Sequence, residues 1–198
     1  FEPTQGDVRP AGPLTIINEG YIEGVRAIGT DEASTSEITI ENSGTLRGRS
    51  GTAIQLAPEQ GDSSLLVSGD SKIFGDVIFG AGDDLLTVEG LTSGLLINGI
   101  FDGGAGNNSV FLNDYLLSDL LSFEITDDLI NLSLAILNNQ VLSGQFINFA
   151  TWTFSSDGPF STEDLASRYA TPVPTPAILP LFLLGLAGIW ASRARLLK

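Results

Sequence analysis

The sequence predicts an all-β body, built as a single-stranded, right-handed parallel β-helix in which short strands stack coil upon coil. Three observations lead to this fold class. Short apolar segments recur at spacings of about 21 to 27 residues, as from Ile16 to Ile40. Glycine is abundant, with 23 residues in 198, and only 17% of residues are charged. Polar and apolar residues alternate within the segments, as strands require. A β-sandwich body is the alternative.

The repeats are clearest in residues 14–28, LTIINEGYIEGVRAI, and 38–56, which begins ITIENSGTLRGRSG. A weaker third copy covers 66–75, and a fourth covers 87–90. Glycine and asparagine suit the corners of a coil because they adopt positive φ at low cost. The matched positions pair Ile16, Asn18, Gly20 and Gly24 with Ile40, Asn42, Gly44 and Gly48. The segment Asn42–Gly48, NSGTLRG, resembles a repeat of autotransporter-type passenger β-helices, and this likeness extends over roughly 14–155.

The remaining segments of the body are assigned by composition. Residues 1–13 are expected to form an N-terminal leader or cap, and the absence of methionine suggests that a secretory signal precedes them. The aromatic stretch 145–154, QFINFATWTF, predicts a last rung that closes the solenoid. The leucine-rich stretch 115–138 fits either strands of two wider coils or a helical insertion. Residues 156–171, rich in Ser, Thr, Asp, Gly and Pro, predict a flexible linker.

The C-terminal tail, 172–198, has three parts. Residues 172–176 alternate proline with other residues, which favours an extended segment. Residues 177–192, AILPLFLLGLAGIWAS, carry no charge and predict a transmembrane helix, although about 1.5 Å per residue leaves it short of the roughly 30 Å hydrocarbon core. Residues 193–198 form a basic end that contains Arg193, Arg195 and Lys198. The positive-inside rule places this end in the cytoplasm and the body outside the inner membrane.

This order of parts resembles the PEP-CTERM sorting domain of Gram-negative bacteria. The family's Val-Pro-Glu-Pro-like box corresponds to Val173, Pro174, Thr175 and Pro176, so Thr175 stands where the family has Glu. The Arg-rich end of the family corresponds to Arg193, Arg195 and Lys198. The resemblance implies processing by exosortase, a membrane-embedded transpeptidase-like enzyme of bacteria that often produce exopolysaccharide and biofilm. It also implies an exported protein that passes through the inner membrane to the cell surface or beyond.

Composition argues against several functions. The net charge is −15, and it becomes −18 without the three cations of the basic end, so nucleic-acid binding is not expected. Cysteine and histidine are both absent. Disulfides, thiol chemistry, His-based triads and the usual zinc sites therefore cannot be built from this chain.

Two glycine-rich segments are the candidates for chemistry. Residues 80–87, GAGDDLLT, and 103–110, GGAGNNSV, approach the calcium nonapeptide of β-rolls, and Asp83, Asp84 and Asp102 would be the oxygen donors. The two segments are 24 residues apart, so the alternative is that they are corners of successive coils. The acidic pairs at 83–84 and 127–128 are the available carboxylates for a polysaccharide-acting enzyme. No enzyme and no obligatory cofactor are expected.

The sequence thus predicts an exported structural or adhesive protein of the cell surface or extracellular matrix. Its predicted partners are exosortase, the membrane through 177–192, and exopolysaccharide or other surface material. A polysaccharide-acting β-helix enzyme and a calcium-responsive adhesin are the alternatives.

Overall fold

The computed structural model describes residues 12–30, 35–90, 96–136 and 140–169. Within these residues the fold is an all-β solenoid with two sheets and one short α-helix. In sheet A the strands follow the order β1 (Leu14–Asn18), β4 (Ile38–Asn42), β6 (Ser63–Ser68), β8 (Leu85–Glu89), β11 (Ser109–Leu112), β15 (Thr151–Phe154) and β16 (Asp157–Ser161). In sheet B the order is β2 (Tyr21–Gly24), β5 (Thr45–Gln55), β7 (Lys72–Ile78), β10 (Ile100–Asp102), β14 (Gln140–Ile147), β13 (Leu129–Ile136) and β12 (Leu120–Thr126), with β3 (Ile28–Gly29) beside β5 and β9 (Leu96–Asn98) beside β7.

The strand register confirms the solenoid and not the β-sandwich. Sheet A is parallel from β1 to β15, and Ile16 lies beside Ile40 as the repeats predict. The same inward column continues through the residues that follow in register, which are Leu65, Leu86, Val110 and Trp152. Each of these residues from Ile40 onward is almost fully buried. Stacking of successive coils therefore removes the apolar side chains from water, which is the main favourable contribution to such a fold.

The Asn-x-Gly turns of the first two coils form a second column. Asn18 Nδ2 donates a hydrogen bond of 2.7 Å to Asn42 Oδ1, and Asn42 Nδ2 donates to Ser71 Oγ on the next coil. A Cβ atom on Gly44 would lie 2.1 Å from the carbonyl oxygen of Gly20. The turn therefore requires glycine where the backbones touch, and asparagine where a side chain must link two coils.

The aromatic stretch forms the last parallel rung, as predicted. Phe146 stacks on Phe101 with the ring centroids 5.5 Å apart, and Trp152 packs edge-on against both Phe146 and Phe123 at 5.1 Å. These aromatic side chains are buried and belong to the core. Large aromatic groups contribute strongly to such a core through their buried area and their edge-to-face geometry.

The stretch 115–138 differs from both structures that the sequence left open. It contains a 3-10 helix, Leu117–Asp119, and two antiparallel strands, β12 and β13, that extend sheet B beyond β14. Asp127 and Asp128, which have positive φ values of 50° and 67°, form the turn between them. The alternation of Leu129 to Ile136 between inward and outward positions explains why these residues form a strand.

The predicted linker is wrong over residues 157–169. This segment contains β16, antiparallel to β15, and the helix α1 (Thr162–Tyr169). Thr162 Oγ1 accepts a hydrogen bond of 2.9 Å from Trp152 Nε1 and donates one of 2.7 Å to the carbonyl oxygen of Phe149. Leu165 is fully buried against the core. Tertiary contacts therefore order a segment whose composition alone resembles a linker.

Several predictions concern residues outside the described ranges. Most of the 1–13 leader or cap, residues 170–171 of the predicted linker, and the whole tail at 172–198 lie there. Among the described residues, none belongs to a helix that combines the length and apolar character needed to cross a membrane.

Candidate functional site: the glycine-rich corner

The two glycine-rich segments lie on adjacent coils at the same corner, between sheet B and sheet A. A Cβ on Gly104 would lie 2.0 Å from the carbonyl oxygen of Gly80, and one on Gly106 would lie 1.8 Å from that of Gly82. Gly82, Gly104 and Gly106 also have positive φ values of 104°, 71° and 118°. The spacing of 24 residues is therefore the length of one coil, and these glycines permit the backbones to stack. We call residues 79–84 and 103–108 the glycine-rich corner.

Its outer edge carries a ladder of exposed acidic and amide side chains. Asp62 Oδ1 accepts a hydrogen bond of 2.9 Å from the backbone N–H of Asp83. Asp83 Oδ1 in turn accepts one of 2.8 Å from the backbone N–H of Asn107 on the following coil. Each carboxylate thus ties its own coil to the next one at the surface.

The inner edge carries a buried ladder one residue further on. Asp84 Oδ1 accepts a hydrogen bond of 2.7 Å from the N–H of Ser63, and Asn108 Oδ1 accepts one of 2.9 Å from the N–H of Asp84. Asn108 Nδ2 then donates a bond of 2.9 Å to the carbonyl oxygen of Asn148. Asp84 and Asn108 are both fully buried, so four successive coils are linked through this column.

Asp84 differs from Asn108 in one respect that matters chemically. Its second oxygen, Oδ2, is buried and has no hydrogen-bond partner among the described residues. The pKa of Asp84 is raised to about 7: burial raises it most, the hydrogen bond from the Ser63 N–H lowers it, and the carboxylates of Asp62 and Asp83 contribute to the rise. Asp84 is therefore largely protonated in acidic solution and becomes a buried anion above neutrality.

Asp102 is the last residue of β10 and directly precedes the second glycine-rich segment. Its Oδ1 accepts hydrogen bonds from the N–H of Gly104 at 2.9 Å and from Asn148 Nδ2 at 2.7 Å. Each of the three predicted calcium donors thus has its Oδ1 engaged with backbone or amide groups. The described residues contain no group of three or more acidic side chains arranged to hold a metal ion. Calcium binding stays a prediction.

The sequence did not point to Asp62 or to Asn148 as members of this corner. Asp62 follows Gln60-Gly61, which lacks the glycine pattern of the next two coils. Aligning Ser64 with Leu85, as the strand register does, would have placed Asp62 beneath Asp83. Asn148 is separated from Asn108 by 40 residues and carries no sequence signal of this contact.

Comparison of the chain with known protein families, with curated proteins and with solved structures found no match. The corner and the solenoid must therefore be interpreted from their own chemistry.

Proposed function

We propose that this chain is an exported protein of the cell surface or extracellular matrix, and that its right-handed, single-stranded solenoid serves as a rigid structural or adhesive module. The observation that supports this function best is the buried ladder through Ser63, Asp84, Asn108 and Asn148. Side chains that link successive coils resist bending and separation of the stack, which suits a spacer or a display surface. The acidic side chains of the corner hold the scaffold together in this interpretation, and none of them is assigned to catalysis.

The route to the surface rests on the tail. In this proposal residues 177–192 hold the chain in the inner membrane and exosortase recognises Val173, Pro174, Thr175 and Pro176. Arg193, Arg195 and Lys198 keep the end of the chain on the cytoplasmic side. The body would then be released to, or displayed at, the exterior.

Expression of the full chain behind a secretion signal in an exosortase-bearing host tests this route. We expect a mature species shortened by roughly the length of 172–198, located outside the inner membrane. Pro174→Ala combined with Pro176→Ala should leave the chain uncut, whereas Thr175→Glu restores the family's residue and should be cut at least as well. An unshortened wild-type chain in a host whose exosortase processes a control substrate would refute the proposal.

Calcium-responsive adhesion is a second candidate. The buried Oδ2 of Asp84 favours it, because this oxygen has no hydrogen-bond partner among the described residues and a bound ion is one way to satisfy such a group. Titration of the full chain with Ca²⁺ should then release heat and raise the melting temperature, and Asp84→Asn should abolish both effects. Absence of heat and of a thermal shift in the wild type would remove this candidate.

A further inference from the structure

The outward side of sheet B in the first coils has a composition unlike the rest of the protein. Strands β2, β5 and β7 stack in parallel, so their side chains form two rows that run from coil to coil. One row contains Tyr21, Thr45 and Lys72, and the other contains Glu23, Arg47, Phe74 and Asn98. The positions between the two rows, including Leu46 and Ile73, are buried in the core.

Positive charge is concentrated on this side. The described residues include 20 of the 24 acids of the chain but only five of its nine basic residues. Three of those five, Arg47, Arg49 and Lys72, lie on these strands, and Arg26 lies in the turn after β2. Two acids, Glu23 and Asp76, lie on these strands, and Glu19 and Asp70 occupy the turns that lead into β2 and β7. In an acidic protein, the three cations of these strands therefore outnumber the acids of the same strands.

Aromatic and polar groups accompany these cations. The guanidinium carbon of Arg47 lies 5.8 Å from the ring centroid of Phe74, and Tyr21 is 60% exposed. The Tyr21 hydroxyl donates a hydrogen bond to Glu23, which raises the pKa of the tyrosine. Glu23 Oε1 also lies 3.8 Å from Arg49 Nε, so Tyr21 and Arg49 share this acid, while Arg47 interacts with the Tyr21 hydroxyl.

We propose that this basic face, defined as Tyr21, Thr45, Arg47, Arg49, Lys72 and Phe74, binds a carboxylated polysaccharide laid across successive coils. The inference rests on the proposed adhesive function and names the class of its ligand. Arg47 and Lys72 lie on adjacent strands about 4.8 Å apart and are offset by two residues along the strand, so they present a diagonal pair of cations to a polyanion that crosses the coils. Arginine binds carboxylates through two parallel hydrogen bonds, and lysine acts as a point charge.

The mixture of groups favours a polysaccharide over a second copy of the chain. The exposed ring of Tyr21 and the half-buried ring of Phe74 suit the apolar faces of sugars, while Thr45 and Asn98 offer hydrogen bonds to sugar hydroxyls. A protein interface would need an apolar centre that excludes water, and the outward side chains of these rows are mainly polar or charged.

The test measures the affinity of the full chain for polygalacturonate, with dextran as the neutral polymer. We expect wild-type protein to bind polygalacturonate, to ignore dextran, and to lose affinity as salt is added. Arg47→Ala should weaken binding roughly tenfold, and adding Lys72→Ala should weaken it further. Arg168→Ala is the matched control, because Arg168 also lies over a phenylalanine, 5.2 Å from the ring centroid of Phe160, but in α1. It should change the affinity less than twofold.

Three outcomes would overturn the inference: no binding of wild-type chain to polygalacturonate, equal binding to dextran, or equal losses in the Arg47 and Arg168 variants. Sedimentation analysis of the wild type and of Arg47→Glu tests whether this face instead binds a second copy of the chain. It does so if only the wild type forms dimers and polygalacturonate does not dissociate them. That result would also overturn the inference. If the chain does not bind polygalacturonate but is still exported, only the ligand assignment fails and the proposed function stands. If the chain binds polygalacturonate but is never exported, the proposed function fails and the ligand assignment stands.

Discussion

Replacement of Asp84 by asparagine should make the protein more stable in alkaline solution and remove most of a pH dependence that the wild type shows. Asp84 is fully buried, and its pKa rises from 3.8 to about 7 because burial disfavours the charged carboxylate. Between these two values the folded chain keeps a proton that the unfolded chain has released. Raising the pH therefore favours the unfolded state across this window.

The size of the effect follows from the shift. Each pKa unit corresponds to about 1.4 kcal/mol, so the free energy of unfolding should fall by up to roughly 4 kcal/mol as the pH rises from about 4 to about 7, and should then level off. The amide that replaces the carboxyl group in Asp84→Asn would remain neutral throughout. It would also resemble the side chain of Asn108 on the next coil, whose Nδ2 donates to the Asn148 carbonyl. The variant should therefore match the wild type near pH 4 and exceed it by several kcal/mol at pH 8.

Urea unfolding followed by tryptophan fluorescence at pH 4, 5, 6, 7 and 8 would measure this difference. Glu124→Gln is the control with the same change in net charge, because Glu124 is exposed on β12 and is not among the groups that shift the pKa of Asp84. The control separates general repulsion within an acidic protein from the effect of the buried group. Equal pH profiles for the wild type and Asp84→Asn, or a loss of stability by Asp84→Asn at pH 8, would refute the reasoning.

Two further predictions concern the scaffold. Gly104→Ala should destabilise the fold by about 2 kcal/mol or more, since its Cβ would lie 2.0 Å from the Gly80 carbonyl oxygen in addition to the strain of a positive φ. Gly69→Ala, also at positive φ but with no atom within 4 Å, should cost only about 1 kcal/mol, and similar melting temperatures for the two variants would contradict the stacking argument. Thr162→Val should lower the free energy of unfolding by about 1–3 kcal/mol because Trp152 Nε1 loses its acceptor, whereas Thr162→Ser keeps a hydroxyl and should lower it less. Equal urea midpoints for the two variants would contradict this role of the hydrogen bond.

The repeats could be predicted because equivalent positions in successive coils of a solenoid carry similar residues. Ile16 and Ile40 occupy equivalent positions, and so do Asn18 and Asn42, since each coil must present the same side chain to its neighbour. The last aromatic rung was predictable for the same reason. A bulky residue such as Trp152 continues the inward column of Val110.

The antiparallel strands β12 and β13 and the segment 157–169 could not be predicted in the same way. Parallel and antiparallel strands share a side-chain period of two, so the pattern of β12 and β13 did not reveal that these strands run antiparallel. The linker prediction failed because turns, short strands and linkers use the same small and polar residues. Helix α1 is only eight residues long, and the burial of Leu165 stabilises it through a contact that composition does not encode.

The distinction between Asp83 and Asp84 was equally hidden in the sequence. The two residues are identical and adjacent, yet one faces solvent and the other is fully buried. Which of them turns inward depends on the strand that follows, because Leu86 must occupy the core column and the alternation then assigns Asp84 to the same side.

The insertion of β12 and β13 into the last coil has a consequence for the order of folding. Neighbouring inward positions are separated by 24 residues between Leu86 and Val110 but by 42 between Val110 and Trp152. The longer loop adds only about 0.5 kcal/mol to the entropy of closure. Strands β12, β13 and β14, however, pair with near neighbours in sequence and can assemble as a local unit before they meet β10. Docking of this unit brings Phe123 and Phe146 against Trp152, so the fluorescence of Trp152, measured with Trp190 replaced by phenylalanine, would record this step of folding.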